Sequence, residues 1–203
     1  MIVTNEQLKI AESAVKTFYK NDHTGHGWDH IVRVRNLAMK IADLEGVTNF
    51  NLIELLSLLH DAGDEKLHES NQAAESFLNS ILSKLGLSKE EEGELFNEIK
   101  SISYRNRHIY KGQIESKIVS DADRLDAIGA IGIARAFTYG GARGVKLHSQ
   151  KKGESSVMSH FSEKLLNLKN EMHTKTAYKI AVERDRFLKL YRDQFLNEWN
   201  GKK

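Results

Sequence analysis

Not one of the chain's 203 residues is proline. Proline removes a backbone donor and clashes with the preceding helical turn, so its absence takes the strongest helix breaker out of the sequence. Helix start signals, by contrast, recur. Thr4 with Gln7, Asn51 with Glu54 and Ser88 with Glu91 each pair a capping residue with an answering side chain three residues later. Strand signals are nearly absent, and the expected fold is all-α.

Hydrophobic periodicity places the helices. Val34, Leu37, Ala38 and Ile41 form a helical stripe after His30, and Gly46 offers a C-terminal stop. Leu52, Ile53, Leu55, Leu56, Leu58 and Leu59 make the next segment apolar nearly all round, as expected of a helix at the centre of a bundle. Further helices read at roughly 71–85, 89–103, 113–137 and 156–199. The last is expected as one long or broken amphipathic helix packed through Phe161, Leu165, Leu168, Met172, Ile180, Phe187 and Leu190. The segment "YGGARGVKLHSQKKGESS", residues 139–156, is glycine-rich, basic and without period. It reads as a loop, either a connector or a lid over an anionic substrate. No repeat or linker divides the chain, whose length suits one domain spanning residues 1–203.

Composition narrows the chemistry. With no cysteine, disulfides, thiolate nucleophiles and Cys-ligated zinc are excluded, so any metal falls to His, Asp or Glu. The 30 basic and 28 acidic residues leave a net charge of +2, which gives no general drive towards nucleic acid or anionic membrane. No apolar run is long enough to cross a bilayer, and "MIVTNEQLK" does not read as a signal peptide. The expectation is a soluble, cytoplasmic protein, with monomer and homodimer both open.

The buried central helix runs straight into His60-Asp61 in "SLLHDAGDEK". An unpaired carboxylate there is costly, and a cation is the obvious partner. Neighbouring helical residues lie about 100° apart, so both side chains can reach one ion near the helix end. His30 in "GHGWDHIVRVRNLA" supplies a second imidazole, while His26, a turn earlier, reads as support or pocket wall. A fourth ligand can come from "VSDADRLDAIGAIGIAR", where spacing does not choose among Asp121, Asp123 and Asp126. Asp64, three residues after Asp61, stays on the same side of a continuing turn.

The order His30, His60-Asp61, then an Asp in "DADRLD" resembles the signature of the HD superfamily of metal-dependent phosphohydrolases. "GHGWDHIVRVRNLA", "LLHDAGDEK", "DADRLDAIGAIGIAR" and "HFSEKLLNLKNEMHTKTA" are similar, in order and over most of the chain, to stand-alone bacterial HD hydrolases that act as nucleoside triphosphate pyrophosphohydrolases. The resemblance implies a helical bundle around one divalent ion held by His30, His60, Asp61 and Asp123, with Asp121 as the substitute if the alignment shifts by two residues. Manganese is the first expectation for such a donor set, with iron, cobalt, nickel or zinc next and magnesium less suited. It also implies a catalytic carboxylate at Asp64 and phosphate contacts from Arg124 and, similarly, Lys66. His68 and His108 are the candidates for a second ion. His108, with Arg105, Arg107 and Lys111, makes better sense as a phosphate-facing cluster.

The implied reaction is attack of a metal-activated water on the α-phosphorus of a nucleoside or deoxynucleoside triphosphate, giving the monophosphate and pyrophosphate. The same centre also suits a nucleoside monophosphate phosphatase or a cyclic-nucleotide phosphodiesterase. A nucleotide sensor that has kept the centre is the alternative from a different class.

Overall fold

The computed structural model describes residues 1–203 apart from 23, 107, 108, 110, 152 and 203, and apart from the side chain at 21. His108 therefore lies outside the described residues. Among those described the chain is all-helical, with α1 Asn5–Phe18, α2 Trp28–Glu45, α3 Phe50–Leu59, α4 Asn71–Leu82, α5 Lys89–Ile102, α6 Ile114–Asp126, α7 Gly129–Ala142, α8 Val157–Glu163 and α9 Lys175–Trp199. Short 3₁₀ turns occupy Tyr19–Asn21, Glu65–Leu67, Tyr104–Asn106 and Leu165–Glu171.

Local chemistry accounts for most of these boundaries. Reciprocal capping boxes at Thr4/Gln7 and Ser88/Glu91 start α1 and α5. Gly46 ends α2 at φ 72°, where its own N–H donates to Asp43 and that of Val47 to the Ala42 carbonyl. That paired closure is one a residue with a Cβ adopts only with strain. The third expected box does not form. The chain enters α3 at Asn49, two residues earlier, leaving Asn51 Nδ2 to donate to the Val3 carbonyl at 2.7 Å and Glu54 to pair with Arg35.

Helix α3 is the axis of the core. Leu52, Ile53, Leu55, Leu56, Ser57, Leu58 and Leu59 are all buried, and Ser57 satisfies its hydroxyl on the Ile53 carbonyl. Helix α2 packs on α3 and α6, α1 lies on α3, and α7 lies on α9. The ends of α2, α3 and α6 thereby meet at one point.

Two expected long helices are interrupted. The 113–137 segment breaks at an extended Ile128 (φ −127°, ψ 166°), followed by Gly129 at φ 76°. Helix α7 then starts so close to the end of α6 that a Cβ on Gly132 would stand 2.3 Å from the Ala127 carbonyl. The 156–199 segment becomes α8, the 3₁₀ stretch Leu165–Glu171 and α9. Phe161, Leu165 and Leu168 remain buried through that change, whereas Phe187 and Leu190, expected on the packed face, are exposed. The loop expected over 139–156 starts later, because α7 continues to Ala142. No helix among the described residues is long and apolar enough to cross a membrane.

Candidate metal centre and substrate cavity

The first turn of α2 carries His30, the C-cap of α3 is His60, Asp61 follows it, and the last turn of α6 carries Asp123. Their polar atoms converge. His30 Nε2 and His60 Nε2 lie 3.2 Å apart, and Asp61 Oδ2 lies 3.3 Å from the first and 3.5 Å from the second. His30, His60 and Asp61 place one ligand atom each within 4.8 Å of one another. Asp123 Oδ1 approaches the same imidazoles at 3.5 and 3.9 Å.

The hydrogen bonds behind the cluster decide what it can bind. His60 Nδ1 donates to the Ser57 carbonyl at 2.8 Å, and His30 Nδ1 donates to Asp126 Oδ2 at 2.8 Å. Each neutral ring therefore turns a bare Nε2 towards the other. Asp61 Oδ2 is buried and has no aligned donor. Two facing lone pairs and an orphaned carboxylate oxygen are unfavourable together unless a proton or a cation sits among them. Burial opposes the charged form of His30, yet hydrogen bonds to Asp126 and Asp61 outweigh it and raise its pKa. Burial likewise opposes ionised Asp61, but His60 and His30 hold its pKa well below the usual carboxylate range. The donor set fits a divalent cation, which HD domains bind.

The structure separates the three aspartates of α6. Asp123 reaches the centre. Asp126 stands behind it, bonded to His30, to Arg33 Nε and Nη2 at 2.8 and 2.9 Å, and to Arg135 Nη1 at 3.0 Å. Asp121 is fully buried and accepts from the backbone N–H groups of His173 and Thr174 and from the Thr174 hydroxyl, each at 2.8 Å. It anchors the entry to α9 rather than a metal.

Arg124 is a correction of the same kind. Its side chain is buried, with Nη1 donating to the Glu171 carbonyl at 2.6 Å and meeting His173 Nε2 at 2.9 Å. It is absent from the cavity wall. Successive helical residues diverge by about 100°, so turning Asp123 inward turns Arg124 towards the 3₁₀ stretch before α9. His68 is also removed from the centre, with Nε2 on the Ala62 carbonyl at 2.9 Å and its ring stacked on Phe18.

A cavity of about 650 Å³ opens beside the cluster and includes His60, Asp61 and Asp123 in its wall. Asp64 and Lys66 line it too; Asp64 Oδ1 caps the 3₁₀ turn by accepting from the Lys66 N–H at 3.0 Å. Arg105, Arg135, His160 and Lys164 add basic groups, and Tyr104 and Tyr139 add aromatic faces. Arg105 forms an ion pair with Glu65. His26 lies in the wall against Tyr139, 6.0 Å ring to ring from His30, and burial lowers its pKa. Sequence reasoning missed Arg33, Arg135 and Tyr139. For Arg33 a signal existed in its three-residue offset from His30, the same offset that separates Asp126 from Asp123.

Comparison with known proteins agrees with this geometry. The model of the HD domain family matches residues 27–128. The chain is 39% identical over 189 residues, 90% of each protein, to the uncharacterized protein YpgQ of Bacillus subtilis. Crystal structures of YpgQ include one in complex with ADP, which superposes with a TM-score of 0.74 at 36% identity over 95% of this chain and 100% of that one. A Lactobacillus plantarum protein superposes at 0.89, with 32% identity over 98% and 99% of the two chains. An HD-superfamily hydrolase of Bacillus thuringiensis does so at 0.72, with 38% identity over 96% and 97%. The ligand cluster between α2, α3 and α6 lies wholly within the matched segment, and the chain belongs to the HD domain family.

Proposed function

We propose that this HD-family phosphohydrolase cleaves nucleoside or deoxynucleoside triphosphates between the α- and β-phosphates, releasing the monophosphate and pyrophosphate. The observation that carries the reading is one cavity joining the His–Asp cluster and Asp64 to Lys66, Arg105, Arg135, His160 and Lys164. A polyphosphate needs that density of positive charge beside the reacting phosphorus, and Tyr104 and Tyr139 offer the flat apolar surface that a nucleobase takes up. The nucleotide bound by the related YpgQ supports the same substrate class.

His30, His60, Asp61 and Asp123 would hold the ion. When bound, a divalent cation, manganese in this reading, supplies Lewis acidity that lowers the pKa of water and polarises the phosphoryl group. Asp126 fixes the His30 ring so that Nε2 faces inward. Asp64 receives the proton of the attacking water. Lys66 and Arg135 bind phosphate oxygens.

The test is a panel of nucleoside mono-, di- and triphosphates incubated with metal-stripped protein plus manganese, with pyrophosphate and orthophosphate quantified separately. Pyrophosphate rising in step with monophosphate supports the reading. Orthophosphate released from monophosphates alone would replace it with a nucleotidase.

A further inference from the structure

The "HFSEKL" segment contributes no metal ligand, yet it delivers two ionisable side chains to the cavity. Ser156 and Ser159 form a reciprocal capping box that starts α8, and Phe161 and Leu165 are buried in the core beneath it. That anchoring leaves His160 and Lys164, four residues apart and so on one face, in the cavity wall with Lys66. Lys164 Nζ lies 5.1 Å above the Tyr104 ring. Lys164 shares that wall with the carboxylates of Asp123 and Asp64.

The electrostatics point the same way. Burial first, and then the charge of Lys66, lower the Lys164 pKa against the opposing pull of Asp123 and Asp64; burial first, and then Lys164, lower that of His160 against Glu163. Like charges gathered in a partly desolvated wall disfavour one another, and an entering polyanion relieves that repulsion.

We propose that His160 and Lys164 bind the pyrophosphate end of the substrate, with Lys164 acting as a catalytic residue that hydrogen-bonds the oxygen leaving the α-phosphorus. The inference rests on the triphosphate reading above. In the step, the water oxygen bonds to the α-phosphorus and one water proton passes to Asp64. The bond from the α-phosphorus to the bridging oxygen breaks, and its electron pair stays on pyrophosphate. Lys164 remains protonated and stabilises the charge that develops there.

The first measurement is calorimetric titration of metal-stripped protein with inorganic pyrophosphate. The wild-type protein should bind it, Lys164→Met should weaken binding at least about tenfold, His160→Gln should weaken it less, and Lys164→Arg should retain it. With manganese added, Lys164→Met should lower kcat for triphosphates about 100-fold and Lys164→Arg should restore much of it. Circular dichroism checks that each variant is helical, and His160→Gln carries the test if Lys164→Met does not fold. Undiminished pyrophosphate affinity in the folded variants overturns the α8 site whichever bond is cut. Lost affinity with unchanged kcat overturns the catalytic role. Orthophosphate as the sole product refutes the α-phosphorus reading and leaves the pyrophosphate titration to judge the α8 site by itself.

Discussion

His30 Nδ1 and Asp126 Oδ2 stand 2.8 Å apart although 96 residues separate them in the chain. The contact clamps the start of α2 to the end of α6, and it sets the tautomer that turns His30 Nε2 towards His60. Asp126 is thus a positioning residue for the centre, held in turn by Arg33 and Arg135.

A stability prediction follows from its titration. Burial alone would raise the Asp126 pKa, but hydrogen bonds from His30 and Arg33 hold it well below the usual carboxylate range. Because the folded pKa lies below the unfolded value of about 3.9, the stabilisation is fully present above that pH and is lost as pH falls through the folded pKa. Asp126→Asn should therefore destabilise metal-free protein by about 3 kcal/mol near neutral pH. Urea unfolding across pH should show the gap between variant and wild type shrinking below about pH 4. A gap independent of pH would contradict the assignment.

Metal retention separates the ligands from the rest. His60→Ala and Asp61→Ala should each abolish turnover and metal binding. A ligand present at 100 times its Kd stabilises the fold by about 2.7 kcal/mol, so manganese should raise the Tm of wild type and not that of either variant. Equal manganese-induced shifts in all three proteins would remove His60 and Asp61 from the centre.

Asp64 should behave differently. Asn at this position keeps an oxygen to cap the Lys66 N–H, so the 3₁₀ turn survives and only the charge is lost. Asp64→Asn is expected to retain metal and to lose about 100-fold in kcat. Metal content by elemental analysis, measured beside the rate, checks both halves, and full activity would exclude Asp64 from the mechanism.

Arg124 yields the opposite pattern. Its guanidinium ties α6 to Glu171 and His173 and lies behind Tyr104 rather than in the cavity wall itself. Arg124→Ala should cost about 3 kcal/mol of stability while leaving the KM for triphosphate unchanged in the folded enzyme. A raised KM with unaltered stability would return Arg124 to substrate binding.

What the sequence made legible was local or forced by burial. The boxes at Thr4 and Ser88, the stop at Gly46 and the all-round apolar α3 each depend on a few adjacent residues. His60-Asp61 stood out because a helix that apolar must end inside the protein, where a carboxylate needs a partner. The break at Ile128 and Gly129 was not legible, since the apolar period runs through it and only the close approach of Gly132 to Ala127 demands the turn. Nor was the Arg33–Asp126–Arg135 network, whose contacts cross long sequence separations with no local period. Asp121, Asp123 and Asp126 look alike in "DADRLD"; which helix each one faces depends on how α2, α3 and α9 pack around α6.

Attack at the α-phosphorus is tested most directly by a single turnover of a triphosphate in heavy-oxygen water, with the products resolved by mass spectrometry. The label should enter the nucleoside monophosphate and leave pyrophosphate unlabelled. Label in pyrophosphate, or in orthophosphate released without it, would place the attack on another phosphorus and contradict the proposed reaction.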